Sequence, residues 1–438
     1  MKFGCLRLTN FDYQVPPKLE QERSAMSSPK LMKAVVFDGP YQVSVKERPV
    51  PQSELDCRIV WNVLRCITES LTIPSLVLSS RDVIVKIEST ALCGSELHAY
   101  RGHQKSDTGF IMGHEFTGIV CETGADVQTL QVGDKIVSPF TVSCGECFYC
   151  KEGFTARCER SLLFGSPGLD GGQAEYVRVP YADSTIVKAP ETISDRALLL
   201  MADIFPTGFF GVKSALDLSR TIDVTQSTIV VVGCGPVGLC AIACASDLNP
   251  QHLFAVDAVD SRLDVARKLG AKTLNFKQDA EGMRNQILQA TDGRGADMIV
   301  EVVGLSPALR TAFELVRPFG VISSIGVHNA EIPWTGNEAY GKNIRLQMGR
   351  CPVRHIFPEA LKVLEQKQDQ LEFMFDHVMP LADAANGYEL FDKMKVQKVV
   401  HNGRVAVCCC QNNSLRSRIV VRDGVKDGGE LSEAPLLT

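Results

Sequence analysis

No run of about 18 uncharged apolar residues occurs anywhere in the chain, so no membrane-spanning helix is expected. The first 25 residues scatter Lys2, Arg7, Asp12, Glu20 and Glu22 among polar neighbours and lack the apolar stretch of a secretory signal. An excess of one charge is also missing: 46 Lys and Arg face 51 Asp and Glu, a net charge of −5. That balance argues against nucleic acid and against an anionic membrane surface as partners. Internal repeats are absent. What remains is ordinary globular composition, 45% hydrophobic and 22% charged, over 438 residues, enough for two domains with separate cores.

Cysteine is plentiful, with 16 copies. Without a secretion signal this points to a reducing, cytoplasmic compartment, where clustered thiols bind metal. Cys144, Cys147, Cys150 and Cys158 follow C-x2-C-x2-C-x7-C spacing. Four thiolates suit zinc and leave no open coordination position, so the reading is a structural site. A disulfide cluster and an iron–sulfur cluster are the alternatives. The lobe carries no chemistry of its own.

The chain changes character near its middle. Ala34–Phe37, Val43–Val45 and Val83–Ile87 read as short strands separated by turn residues. From about Asp203, strands and helices alternate. Strands are expected at Thr228–Val232, Leu253–Val256, Met298–Val300 and Val321–Ile325, with helices at Pro236–Ser246 and Arg262–Leu269. That alternation predicts an α/β fold with a doubly wound parallel sheet. Helices return at Pro358–Gln366 and Asp383–Met394. Three stretches fit no compact core: residues 1–31, residues 53–80 between two strands that a short loop could join, and residues 401–438. Each is expected to be appended or disordered.

Gly233, Gly235 and Gly238 form a G-x-G-x-x-G loop after a strand and before a helix. The first permits a tight turn, the second lets backbone approach a pyrophosphate, and the third allows helix–strand packing. Asp257 ends the next strand, where its carboxylate can accept hydrogen bonds from an adenosine ribose. It would repel a 2′-phosphate, favouring NAD over NADP. Arg262 could lie over the adenosine, or simply be a solvated helix residue.

Cys93, Ser95 and His98 in one segment, and Gly113-His114-Glu115 in another, resemble the active-site segments of the zinc-dependent medium-chain alcohol dehydrogenases. The four-cysteine lobe, the dinucleotide loop and the Gly133–Val137 turn recur in that family's order, over residues 32–52 and 81–400. The resemblance implies a β-rich, GroES-like catalytic domain at 32–203. A Rossmann domain follows at 204–350, and the chain returns to the catalytic domain at 351–400. It further implies Cys93 and His114 as catalytic zinc ligands. Asp203, just before Thr207-Gly208, stands where many relatives carry cysteine, and looks like the formaldehyde-dehydrogenase branch. Glu115 is its rival, or a transient ligand. By the same resemblance Ser95 and His98 form a proton relay, and Thr207 bonds near the nicotinamide. Val237 and Val327 join the cofactor-binding positions, and Phe140 lines the substrate pocket. Gly94 stands where some relatives place a basic residue against the pyrophosphate, leaving Lys398 to compensate. His103 has no motif behind it and reads as a surface residue.

The implied cofactors are NAD and two zinc ions, one catalytic and one structural, in a homodimer or homotetramer. The expected reaction is hydride transfer between a small-molecule alcohol, or a hydrated aldehyde, and NAD. A polyol or L-threonine dehydrogenase on the same scaffold is the second reading. A zinc-ribbon binding module or an inactive scaffold protein is the third.

Overall fold

The structure, a computed structural model, describes residues 30–53, 77–219, 223–328 and 330–402. Most of the three stretches expected to be appended therefore lies outside the described residues. Their inner edges belong to the fold. β1 (Leu31–Gly39) begins at Leu31 and pairs antiparallel with β2 (Gln42–Pro49), burying Val35, Phe37 and Val43 against Leu92 and Tyr388. β3 (Gln52–Ser53) and β4 (Val77–Leu78) pair in parallel, and the Asp82 amide donates to the Ser79 carbonyl at 3.1 Å. Residues 77–80 are thus part of the scaffold, which narrows the expected insertion.

The first half is built on β5 (Val83–Ala91), β6 (Glu115–Thr123), β7 (Lys135–Ser138), β8 (Tyr176–Val179) and β9 (Val187–Lys188). β5 and β6 pair antiparallel with two bulges, and their Val83, Val85, Phe116 and Val120 side chains fill one core with Ile136 and Phe164.

The second half is a six-stranded parallel sheet of β10 (Thr228–Val232), β11 (His252–Asp257), β12 (Lys272–Asn275), β13 (Ala296–Glu301), β14 (Val316–Ser324) and β15 (Arg345–Met348). Their order is β12-β11-β10-β13-β14-β15. Every residue of β10 is buried, as a central parallel strand covered on both faces requires. Ile229 and Val231 face a core with the helices Ile204–Ser219 and Pro236–Asp247, while Val230 and Val232 face one with Ala280–Ala290 and Ser306–Leu315. The strand order reverses between β10 and β13, the switch point beyond whose carboxyl ends sheets of this kind bind their ligands.

A helix expected to start at Pro358 instead spans Val353–Lys367 with Pro358 inside it. An internal proline costs about 3 kcal/mol. The helix buries Val353, Ile356, Phe357, Ala360 and Leu364, and each large apolar side chain contributes about 1.5–3 kcal/mol, so packing outweighs the lost hydrogen bond. The chain then returns through β16 (Val378–Pro380) and β17 (Val400–Asn402), which joins β5 antiparallel with Val400 opposite Ala91. The last strand thus runs two residues past the expected end of the fold and sits directly behind Cys93. Among the described residues no helix is long and apolar enough to cross a membrane.

Candidate active site

Three distant segments meet at one point. Cys93 follows the end of β5, His114 and Glu115 open β6 beside it, and Asp203 immediately precedes the helix Ile204–Ser219. The ligand atoms of Cys93, His114, Glu115 and Asp203 all lie within 4.8 Å of one another, and all four residues are buried. Asp203 Oδ2 is 3.4 Å from Cys93 Sγ and 3.3 Å from His114 Nε2. Donors at zinc-bonding distance in a tetrahedron stand about 3.3–3.8 Å apart. The geometry fits.

Surrounding groups aim these donors. Glu96 Oε1 lies 3.5 Å from His114 Nδ1, which leaves Nε2 facing the other ligands. Glu96 Oε2 accepts from the Cys93 amide at 3.1 Å and from Gln173 Nε2 at 3.3 Å, and the Tyr388 hydroxyl donates to Gln173 Oε1 at 3.0 Å. A carboxylate behind a metal-binding imidazole sets its tautomer and raises its basicity. Sequence reasoning missed Glu96; its place three residues after Cys93, on the first turn of a short helix, was the available signal. Thr207, expected near the nicotinamide, donates its hydroxyl to Asp203 Oδ1 at 2.7 Å. That bond occupies one carboxylate oxygen and turns Oδ2 toward Cys93 and His114.

Lys398 corrects a second expectation. Its ammonium lies 2.9 Å from Glu115 Oε1 and 2.7 Å from Oε2, and donates to the Leu92 carbonyl at 3.0 Å. Both side chains are 0% exposed, so Lys398 cannot reach a pyrophosphate in place of a basic residue at Gly94. The pairing of β17 with β5 carries it beneath the metal ligands instead. Glu115 is thus held by Lys398 through both carboxylate oxygens, with its ligand atom still within 4.8 Å of those of Cys93, His114 and Asp203.

The charges and protons of the cluster are arranged as a dication site requires. Burial and then the Asp203 charge push the Cys93 thiol up to about 11. Burial works against a charged His114, yet the Cys93 sulfur and Asp203 hold its pKa well above the ordinary value. Asp203 stays below the usual carboxylate range despite burial, because His114 and Thr207 stabilise its charge. The thiol and the imidazolium thus both carry protons at neutral pH, and a metal must displace them. Metal affinity should therefore rise with pH, by about one to two decades per unit between pH 6 and 8. Competition titrations against a chelator at several pH values measure that slope.

The four-cysteine lobe wraps the short helix Phe148–Lys151. Its four sulfurs also lie within 4.8 Å of one another, and Cys147 Sγ and Cys158 Sγ are 4.0 Å apart. That is close to the spacing around one zinc and far from a bonded disulfide of about 2.05 Å. Amides of Cys144 and Arg160 donate to Cys158 Sγ at 3.2 and 3.3 Å. A backbone bond from Glu159 draws the Cys147 thiol down to about 6, so this sulfur is a thiolate at neutral pH.

In the dinucleotide loop each glycine answers a different demand. Gly233 adopts φ +98°, Gly238 has room for no Cβ, since one would lie 1.9 Å from the Gly233 carbonyl oxygen, and Gly235 faces open space. The helix Pro236–Asp247 begins there with Gly235 as an uncapped N-cap, so its first N–H groups point toward that space. Val237 lies half-buried in the first turn, and Val327 is exposed beside Gly304 beyond β14. Asp257 is more constrained than expected. Its oxygens accept from the amides of Cys234, Ala258 and Val259 at 2.7, 2.7 and 2.9 Å, so its carboxylate pins the loop and only its remaining lone pairs can meet a ribose. Arg262 is half-buried, close enough to Cys234 to act on its thiol.

Ser95 Oγ lies 3.3 Å from Cys93 Sγ and 3.4 Å from His114 Nε2. His98 is half-buried one turn further on, and no direct hydrogen bond joins it to the Ser95 hydroxyl among the described residues. His103 is exposed. The Phe140 ring is buried and meets the His114 imidazole edge-on at 6.1 Å.

Known proteins resemble the chain over both of its halves. Residues 79–191 match the alcohol dehydrogenase GroES-like domain, and residues 236–366 match the zinc-binding dehydrogenase family. The chain is 53% identical over 388 residues to zinc-type alcohol dehydrogenase B of Aspergillus flavus, covering 88% of this chain and 84% of that one. It is 32% identical over 415 residues to formaldehyde dismutase of Pseudomonas putida, covering 84% and 96%. Among solved structures, an alcohol dehydrogenase from Thermus sp. ATN1 superposes with a TM-score of 0.72 at 32% identity, covering 85% of this chain and 99% of that one. With both halves matched and kinship sustained over most of its length, the chain belongs to the zinc-dependent medium-chain alcohol dehydrogenases and is an oxidoreductase.

Proposed function

We propose that this oxidoreductase transfers a hydride between an alcohol, or a hydrated aldehyde, and NAD, with Cys93, His114 and Asp203 holding the catalytic zinc. The convergence of those three buried donors at 3.3–3.4 Å around Asp203 Oδ2 carries the reading. When bound, the zinc supplies Lewis acidity toward the substrate oxygen through an open position. Ser95 Oγ, beside two of the ligands, is placed to take the substrate proton. His98, lowered in pKa by burial and by the charges of His103 and Arg101, is neutral at physiological pH and can receive that proton through an intervening hydroxyl or water. Asp257 and the amino end of the helix Pro236–Asp247 hold the dinucleotide. The kinship with a formaldehyde dismutase supports an aldehyde as well as an alcohol as substrate.

We propose further that the cysteine lobe holds a second, structural zinc, and that the enzyme works in the cytoplasm as a homodimer or homotetramer. Nicotinamide reduction over a panel of alcohols, beside a metal count and a chelator-treated control, tests the reading. Absence of turnover across the panel, or a single metal confined to the lobe, sinks it. Ser95→Ala should lower kcat about 100-fold with little change in metal content. His98→Gln should cost less and shift the acidic limb of the kcat profile, which steady-state rates against pH record.

A further inference from the structure

Arg350 follows the edge strand β15 and is solvent-exposed. Its guanidinium carbon lies 5.8 Å from the centre of the Phe140 ring, and that ring meets the His114 imidazole at 6.1 Å. Cation, aromatic ring and zinc-ligand candidate thus stand in series along one wall of the site. The rest of that wall is apolar: Phe140 packs with Cys351, Val353, Ile356 and Phe210.

No acid answers this charge. Among the described residues Arg350 makes no ion pair and no hydrogen bond. The field of Asp203 reaches it, but that carboxylate is already engaged by His114, Cys93 and Thr207. The like charge of Arg157 reaches it as well. The next helix, Val353–Lys367, has no acidic residue in its first turn, and its Arg354 keeps a buried Nε without a partner. Positive charge therefore gathers where the helix dipole already disfavours it. The cofactor does not supply the missing anion. The pyrophosphate belongs at the Gly233–Gly238 loop, and the oxidised nicotinamide ring is itself cationic.

Resting on the oxidoreductase reading above, we propose that Arg350 is a specificity determinant that binds a carboxylate on the substrate, at the end remote from the reacting carbon. The substrate class is then an ω-hydroxy acid, or the matching aldehyde acid, with a short methylene spacer lying along Phe140. The planar guanidinium can take the carboxylate in a bidentate pair while one face stays on the ring.

The test uses zinc-loaded enzyme with NAD and two matched pairs, hydroxyhexanoate against hexanol and hydroxybutyrate against butanol. Wild type should prefer the acids in kcat/KM by about tenfold or more. Arg350→Ala should lower kcat/KM for the acids by about 10–100-fold and for the alcohols far less, with Arg350→Lys intermediate. Calorimetric titration with hydroxyhexanoate and hexanol gives a readout independent of turnover, in which Arg350→Ala should weaken binding of the acid selectively. Oxidation of hexanol without preference for the acid, in both proteins, overturns the assignment and leaves the oxidoreductase reading standing. A rise in KM for NAD alone moves Arg350 to the cofactor and also overturns it. If no compound turns over, the oxidoreductase reading fails, and selective calorimetric loss still supports the anion seat while equal binding removes it.

Discussion

Lys398→Met should destabilise the protein by about 3–5 kcal/mol, because it strips a buried carboxylate of the ammonium paired with it. Glu115 and Lys398 are both 0% exposed, and the ammonium is within 2.9 Å of both carboxylate oxygens. Burial already raises the Glu115 pKa, with Lys398 pulling it back down. Removing the lysine leaves the first effect without the second. Two charges withdrawn from water contribute little net stability as a pair, yet either alone is costly. The double variant Lys398→Met with Glu115→Gln should therefore recover most of the loss. Urea unfolding of the wild type, the two single variants and the double variant measures the coupling. Equal, additive losses would show that the two side chains do not depend on each other.

Asp203→Ala should abolish activity and remove one metal ion while leaving the cysteine lobe loaded. Lewis-acid stabilisation is worth several kcal/mol, and about 4 kcal/mol corresponds to a thousandfold in kcat/KM. Asp203→Cys should keep the metal, since a thiolate preserves both the donor and the negative charge. Elemental analysis beside kcat/KM separates the two variants. Full metal content in Asp203→Ala would transfer the third ligand to Glu115, whose carboxylate lies in the same cluster.

Much of the site was legible before any coordinates. Cys93, His114 and Asp203 lie in three segments 110 residues apart at the extremes, yet each belongs to a short local pattern, and the three patterns occur in an order that a known family shares. The Thr228–Val232 strand matched its observed bounds because four consecutive apolar residues after Thr228 suit a strand covered on both faces. The misplaced elements had another cause. Pro358 reads locally as a helix start, and only the core beneath Val353–Lys367 makes an internal proline tolerable. Lys398 reads as a spare cation near a phosphate site, and only strand pairing reveals that it is enclosed.

Spacing along the chain determined the glycine loop, the four-thiol lobe and the paired architecture, since turns, metal chelation and strand–helix alternation are demands that a few neighbouring residues meet by themselves. Tertiary structure decided which charges meet. Glu115 finds Lys398 across 283 residues and Glu96 shares Gln173 with Tyr388, while Arg350 settles over Phe140 with no counter-ion among the described residues. A carboxylate or a guanidinium looks the same in sequence whether it is solvated, paired or waiting for a ligand. Burial, set by the packing of distant strands, is what tells these states apart.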